Sequence, residues 1–160
     1  NGQIIPAGPL RESLNAIQRA DCIIINGDKN LEFEEKIFKF NRNKKLHIFY
    51  SKYKIKNIEK LKNKTITAFA GIGNPSNFFD LLRENNLNLN KMYTFPDHHA
   101  YSKEDFEILS KEKSNVLLTT EKDYCRLNEN QKKICQFIEV DLEIENQEIF
   151  KNIIKSYLWK

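Results

Sequence analysis

The sequence predicts an α/β fold, with a mostly parallel sheet and helices on both of its faces. From residue 65 onward, short apolar runs suited to strands alternate with segments of helical periodicity, the pattern of a parallel sheet covered on both sides. Residues 22–25 (Cys-Ile-Ile-Ile) are apolar without alternation, as expected for the buried middle of a parallel sheet. Three predicted strands end in loops rich in glycine, histidine, or hydroxyl and carboxylate residues, and open α/β sheets bind ligands outside the carboxyl ends of their strands.

The N-terminal stretch through Glu12 holds two prolines and two glycines and reads as a shaped loop. Ser13 follows as an N-cap for a short helix to about Arg19. After the strand at 22–25, apolar residues at 33, 37, 38 and 40 mark an amphipathic helix over 31–40. Residues 46–50 read as a strand. In Lys52-Tyr53-Lys54-Ile55-Lys56 strict alternation places three lysines on one face, which suits an edge or an exposed ribbon. A strand at 65–70 leads through Gly71-Ile72-Gly73 to a helix over 74–84, with Asn74 as cap and Pro75 at its first position. A strand at 91–95 ends at Pro96, which fixes φ and has no amide donor. Ser102, followed by Asp105, opens a helix to about Lys111 in a loose capping box. A strand at 115–119, a last strand at 137–142 and a closing amphipathic helix at 147–158 complete the chain.

At 160 residues the sequence is one domain, or a small domain with part of another. A hydrophobic content of 40% excludes wholesale disorder. No apolar run approaches the ~20 residues of a membrane span, and no signal-peptide pattern opens the chain. The 3 cysteines are an odd number without metal-ligand spacing, expected to be reduced core thiols of a cytosolic protein. The chain begins at Asn1 and its single methionine is Met92, so a piece of a longer protein is expected.

The net charge of +4 is unevenly spread. Residues 36–64 carry eleven Lys and Arg (36, 39, 42, 44, 45, 52, 54, 56, 60, 62, 64) against Glu59 alone, a segment of +10 with the rest of the chain at −6. Such segregation concerns partners rather than fold. With Phe38, Phe40, Phe49, Tyr50 and Tyr53 interleaved, the segment suits anionic lipid, nucleic-acid phosphates, or a solvated edge.

Four clusters could carry chemistry. Asp97-His98-His99 joins a carboxylate to two imidazoles, whose proton equilibrium lies nearest neutral pH, on a loop held by a scaffold. A solvated turn is the competing reading. Adjacent residues of an extended segment project to opposite sides, so Asp97 and His98 are not expected to form a self-contained dyad. Gly71-Ile72-Gly73 resembles a phosphate-binding turn, but a Rossmann fingerprint would need glycine where Ser76 stands, and tight strand-to-helix packing is favoured. Thr119-Thr120-Glu121-Lys122-Asp123 reads first as a capped short helix with an internal ion pair. Arg11-Glu12 could clamp a phosphate and help hold Mg²⁺, or be a surface ion pair of little worth. No Gly-x-x-x-x-Gly-Lys-Ser/Thr occurs anywhere.

In order, Pro6-Ala7-Gly8-Pro9-Leu10-Arg11-Glu12, Ala68-Phe69-Ala70-Gly71-Ile72-Gly73-Asn74-Pro75, Phe95-Pro96-Asp97-His98-His99 and Thr120-Glu121-Lys122-Asp123 span essentially the whole chain. Together they resemble the C-terminal half of the tetraacyldisaccharide 4′-kinase (lipid A 4′-kinase) family of Gram-negative bacteria. The resemblance implies a P-loop-kinase-like architecture, here without its N-terminal P-loop half. Residues 1–50 would be the tail of the kinase core, 51–64 a basic β-ribbon linker and 65–160 the C-terminal α/β domain. It further implies transfer of the ATP γ-phosphate, with Mg²⁺, to the 4′-hydroxyl of an acylated disaccharide 1-phosphate. The protein would be peripheral, on the cytoplasmic face of the inner membrane. By motif, His98 would be the catalytic histidine with Asp97 in support, and Arg11 and Lys122 would bind phosphate. Glu12 would help hold Mg²⁺, and Lys52, Lys54 and Lys56 would face the membrane. A separate N-terminal P-loop half is an expected partner, and nucleic acid is not favoured. The rival reading is a non-catalytic α/β binding domain using residues 36–64 on anionic lipid or nucleic acid.

Overall fold

The computed structural model describes residues 3–8, 10–41 and 45–158; Pro9 of the first motif and Arg42 and Lys44 of the basic segment lie outside them. The chain divides into two compact units, one of Asn1–Lys52 with Leu142–Lys160, the other of Tyr53–Asp141.

The first unit opens on a 3₁₀ helix, Leu14–Arg19, then β1 (Cys22–Asn26) and α1 (Leu31–Phe40). Asn30 caps α1 by accepting the Phe33 amide at 2.9 Å, and Glu32 and Glu34 in the first turn complement the helix dipole. Strand β2 (His47–Ile55) pairs in parallel with β1 from Cys22↔His47 to Asn26↔Ser51. It runs unbroken through both the 46–50 strand and most of the alternating lysine stretch. The strand order of this sheet is β1-β2-β7, with β7 being Val140–Ile144. β1 is therefore an edge strand among the described residues, and Ile24 is 42% exposed. The buried-middle expectation for residues 22–25 does not hold, because an apolar run reports low polarity and not how many neighbours a strand has. The unit closes with α6 (Gln147–Leu158), whose Phe150 meets Phe49 edge-on at 5.3 Å.

The second unit is built on a four-stranded parallel sheet in the order β4-β3-β5-β6. Its strands are β3 (Thr65–Ala70), β4 (Asn88–Thr94), β5 (Val116–Thr120) and β6 (Cys135–Ile138). Helix α2 (Pro75–Glu84) joins β3 to β4, α3 (Lys103–Ser110) joins β4 to β5, and the short α4 (Glu121–Tyr124) and α5 (Glu129–Lys132) lie between β5 and β6. Side chains alternate across a strand, so β3 feeds two cores. Ile66, Ala68 and Ala70 pack with Val116, Leu118 and the α2 residues Phe78, Phe79 and Leu82. Phe69 packs on the opposite face with Leu117 and the α3 residues Phe106 and Leu109. Each buried Phe or Leu contributes about 1.5–3 kcal/mol of hydrophobic stabilisation. The expected last strand at 137–142 is instead two strands, β6 and β7, with Glu139 between them.

This topology positions the site. The chain leaves β3 toward β4 on one side, then returns past β3 to β5 on the other. The carboxyl ends of β3 and β5 thus flank a topological switch point, where open α/β sheets leave a crevice.

Candidate functional site

Three loops meet at that rim. Register pairs Ala70 with Thr94, so the segments beginning at Gly71 and Phe95 leave the sheet side by side, and the Phe95 amide donates to Ala70 O at 2.9 Å. Gly71 is separated from Pro96 and Tyr101 by very little. A Cβ on Gly71 would meet Tyr101 Oη at 2.9 Å and Pro96 O at 3.0 Å. Gly71 is therefore required by close approach, as the packing reading of Gly71-Ile72-Gly73 expects. Its amide is not open to a phosphate, because it donates to Asp123 Oδ2 at 3.0 Å.

The Asp97-His98-His99 loop splits its two histidines by environment. His99 is anchored: Nε2 lies 2.8 Å from Asp105 Oδ2, and the ring stacks on Phe95 at 4.7 Å. The His98 side chain is 70% exposed. His98 has φ +60, in the left-handed region that non-glycine residues seldom adopt. Its amide is shared between Gly71 O at 3.1 Å and Asp97 Oδ1 at 3.0 Å. The loop is thus a turn and not an extended segment. Asp97 and His98 share a side, with Nε2 3.8 Å from Asp97 Oδ2, close enough for charge attraction and too long for a hydrogen bond.

Lys122 comes from the far side of the crevice, its Nζ 3.4 Å from Asp97 Oδ1. Partial burial alone would raise the Asp97 carboxyl, but the Lys122 ammonium, His98 and the His98 amide outweigh it and hold Asp97 below the usual carboxylate range. Asp97 is therefore charged at neutral pH, between one ammonium and one imidazole.

Between the loops after β3 and β5 runs a groove of about 330 Å³. Ile72, Phe78, Leu81 and Ile138 give it apolar walls, with Thr120 and Glu121 on its polar side. Gly73 also lines it, and a Cβ there would lie 3.6 Å from Asp97 Oδ2. At Gly73 the groove thus borders the Asp97 carboxylate.

The remaining expected residues stand elsewhere. Arg11 and Glu12 belong to the first unit, where both are exposed and the Glu12 carboxylate pairs with Arg19. Among the described residues no group of three or more His, Cys, Asp and Glu is placed to hold a metal ion. With the one expected carboxylate, Glu12, engaged by Arg19, the described residues do not fit a Mg²⁺ site. Lys52, Lys54 and Lys56 are all exposed, but so is Tyr53 between them. Lys52 pairs with Asp28 at 2.6 Å and Lys56 with Asp141 at 3.4 Å. The cysteines are free, with Cys135 buried, Cys22 half-buried and Cys125 exposed; only Cys135 fully matches a core thiol. No helix among the described residues is long and apolar enough to cross a membrane.

The sequence reading placed Asp123 in the Thr119–Asp123 cluster but foresaw neither its burial nor its partner Arg126, which it missed altogether. Asp123 is fully buried and pairs with Arg126, not with its neighbour Lys122. It also accepts from Thr120 Oγ1 at 2.8 Å. The i, i+3 spacing of Asp123 and Arg126 was the available signal, but nothing local marks a carboxylate as buried.

An exposed histidine, a charged carboxylate and an ammonium gathered at the switch point of a parallel sheet define an α/β protein with a polar site on its carboxyl-end rim. The family model described as tetraacyldisaccharide-1-P 4′-kinase (LpxK) matches residues 1–158, and the chain belongs to that kinase family. The tetraacyldisaccharide 4′-kinase of Pelagibacter ubique (strain HTCC1062) is 34% identical over 158 residues, covering 95% of this chain and 50% of the relative. That of Rickettsia akari (strain Hartford) is 37% identical over 160 residues, covering 94% and 47%. The chain spans about half the length of the curated relatives it matches. A crystal structure described as the "apo" form of LpxK from Aquifex aeolicus in complex with ATP aligns with a TM-score of 0.64 at 24% identity. It covers 97% of this chain and 48% of that one, a likeness of fold.

Proposed function

We propose that the chain is the acceptor-activating part of a lipid A 4′-kinase, and that His98 is its general base. The carrying observation is the Asp97-His98 turn at the switch point, with His98 exposed and Asp97 charged beside it. In this reading ATP supplies the phosphoryl group to the 4′-hydroxyl of an acylated disaccharide 1-phosphate. His98 takes the hydroxyl proton as the oxygen attacks the γ-phosphorus and the bond to ADP breaks. Asp97 stabilises the imidazolium so formed, and Lys122 holds Asp97 in place and lends positive charge to the rim. In this reading the nucleotide grip and the Mg²⁺ ligands come from a P-loop half outside these residues.

The apolar groove supports a lipid acceptor, because its lining residue Gly73 stands beside Asp97 and its size suits one aliphatic chain. Lys52, Lys54 and Lys56 would meet an anionic bilayer at about 1 kcal/mol each, placing the enzyme peripherally on the cytoplasmic face of the inner membrane.

The test is ATP-dependent labelling of tetraacyldisaccharide 1-phosphate by the full-length protein, with any flanking sequence present. His98→Ala should lower turnover by about 10²–10⁴. Wild-type turnover in that variant would overturn the assignment.

A further inference from the structure

Gly71 is held at both of its polar atoms by residues more than fifty positions away. Its amide donates to Asp123 Oδ2 at 3.0 Å, and its carbonyl accepts from Arg126 Nη2 at 2.8 Å. The same carbonyl accepts the His98 amide at 3.1 Å. Asp123 and Arg126 pair with each other, which closes a ring through Gly71 with His98 attached to it.

We infer that Asp123 and Arg126 are positioning residues for His98, fixing Gly71 so that its carbonyl holds His98 in the left-handed turn. The inference rests on the reading of His98 as general base, since without that role the turn has nothing to aim. Neither residue touches reacting atoms.

Two observations favour positioning over simple stabilisation. Asp123 is fully buried, and a buried charge persists only when paired and hydrogen-bonded. Its bonds go to Gly71, to Arg126 and to Thr120, whose hydroxyl also accepts the Asp123 amide at 3.1 Å. Arg126 Nε and Nη1 are buried with no hydrogen-bond partner among the described residues. Burying donors without partners is unfavourable, so the guanidinium is placed to serve Nη2, the atom on Gly71 and Asp123, at the expense of its other nitrogens. His98, meanwhile, holds a conformation that bulky L-residues adopt only when their surroundings over-determine it.

Asp123→Asn keeps an acceptor for Gly71 and Thr120 but loses the charge facing Arg126; Arg126→Met removes the donor to Gly71, and Arg126→Lys restores a cation. In the full-length protein, hydrogen exchange at the His98 amide should speed up about three- to tenfold in the first two variants, the worth of one hydrogen bond. The amide–α-proton coupling of His98, which reports φ, should move away from its left-handed value. Amides within β3 and β5 should keep their protection. The kcat should fall with KM for the lipid little changed, and Arg126→Lys should recover part of both signals. Unchanged exchange and coupling at His98, or protection lost evenly across β3 and β5, would overturn the inference. These readouts need no turnover. Inactivity of His98→Ala as a test of the base, and loosening of His98 as a test of its positioning, therefore fail separately.

Discussion

His99 Nε2 sits 2.8 Å from Asp105 Oδ2, so the loop after β4 is fastened to the first turn of α3. The same carboxylate oxygen accepts the Ser102 amide at 2.8 Å, and Ser102 Oγ accepts the Asp105 amide at 3.1 Å. One side chain thus completes a capping box and anchors one of the two adjacent histidines, leaving the other free.

That anchor has a defined pH dependence. Burial by itself would raise the Asp105 carboxyl, but the Ser102 amide, the His99 ring and the Ser102 hydroxyl outweigh it and hold it below its ordinary value. A carboxyl lowered in the folded state stabilises fully above its unfolded pKa, near ~3.9, and that contribution is lost as pH falls through the lower folded value. Asp105→Asn should be less stable by about 1 kcal/mol at pH 6, the usual worth of a cap. The gap to the parent should narrow once pH drops below ~3.9. Denaturant unfolding across pH 2 to 7 checks both; a gap that stayed constant to the acid limit would show that the charge contributes nothing.

Gly71→Ala tests the close approach. The added methyl would press on Tyr101 Oη and on the Pro96 carbonyl, and the latter is backbone that also accepts the His99 amide at 3.1 Å. Neither neighbour can yield cheaply. Destabilisation of about 1–3 kcal/mol is expected from overpacking, read as a lower denaturant midpoint with unchanged slope. An alanine variant as stable as the parent would mean that the loops at 71 and 96 are free to part.

Much of this fold was legible because the second unit obeys local rules. The alternation of strands and helices, Pro75 at the start of α2 and the Ser102–Asp105 box all read directly from spacing, and each is present. The loop of Asp97 and His98 was legible as a cluster of titratable groups placed after a strand, where binding and catalytic residues concentrate. Its shape was not. Nothing in the residue types announces φ +60 at His98, which follows from Gly71 O, an acceptor 27 positions earlier in the chain. The exposure of β1, the break at Glu139 between β6 and β7, and the burial of Asp123 share this cause. Each is set by tertiary neighbours that a local pattern cannot name. The same holds for residues 142–160, which cluster with 1–52.

His98→Gly separates what the turn costs from what it does. The left-handed conformation costs an L-residue about 1–2 kcal/mol, whereas glycine adopts it freely at an entropic cost of roughly 0.5–1 kcal/mol in the unfolded chain. The glycine variant should therefore be as stable as the parent or about 0.5–1 kcal/mol more so. Its Gly71 O contact survives, because the amide that makes it is backbone. On the general-base reading, the same variant loses turnover by about 10²–10⁴ in the full-length protein. Stability and activity would then move in opposite directions at one residue, as expected where strain is kept for function. Thermal unfolding and the labelling assay, run on the same preparation, decide it. A variant that loses stability would show that the His98 ring, exposed as it is, holds the loop together through its 3.8 Å approach to Asp97.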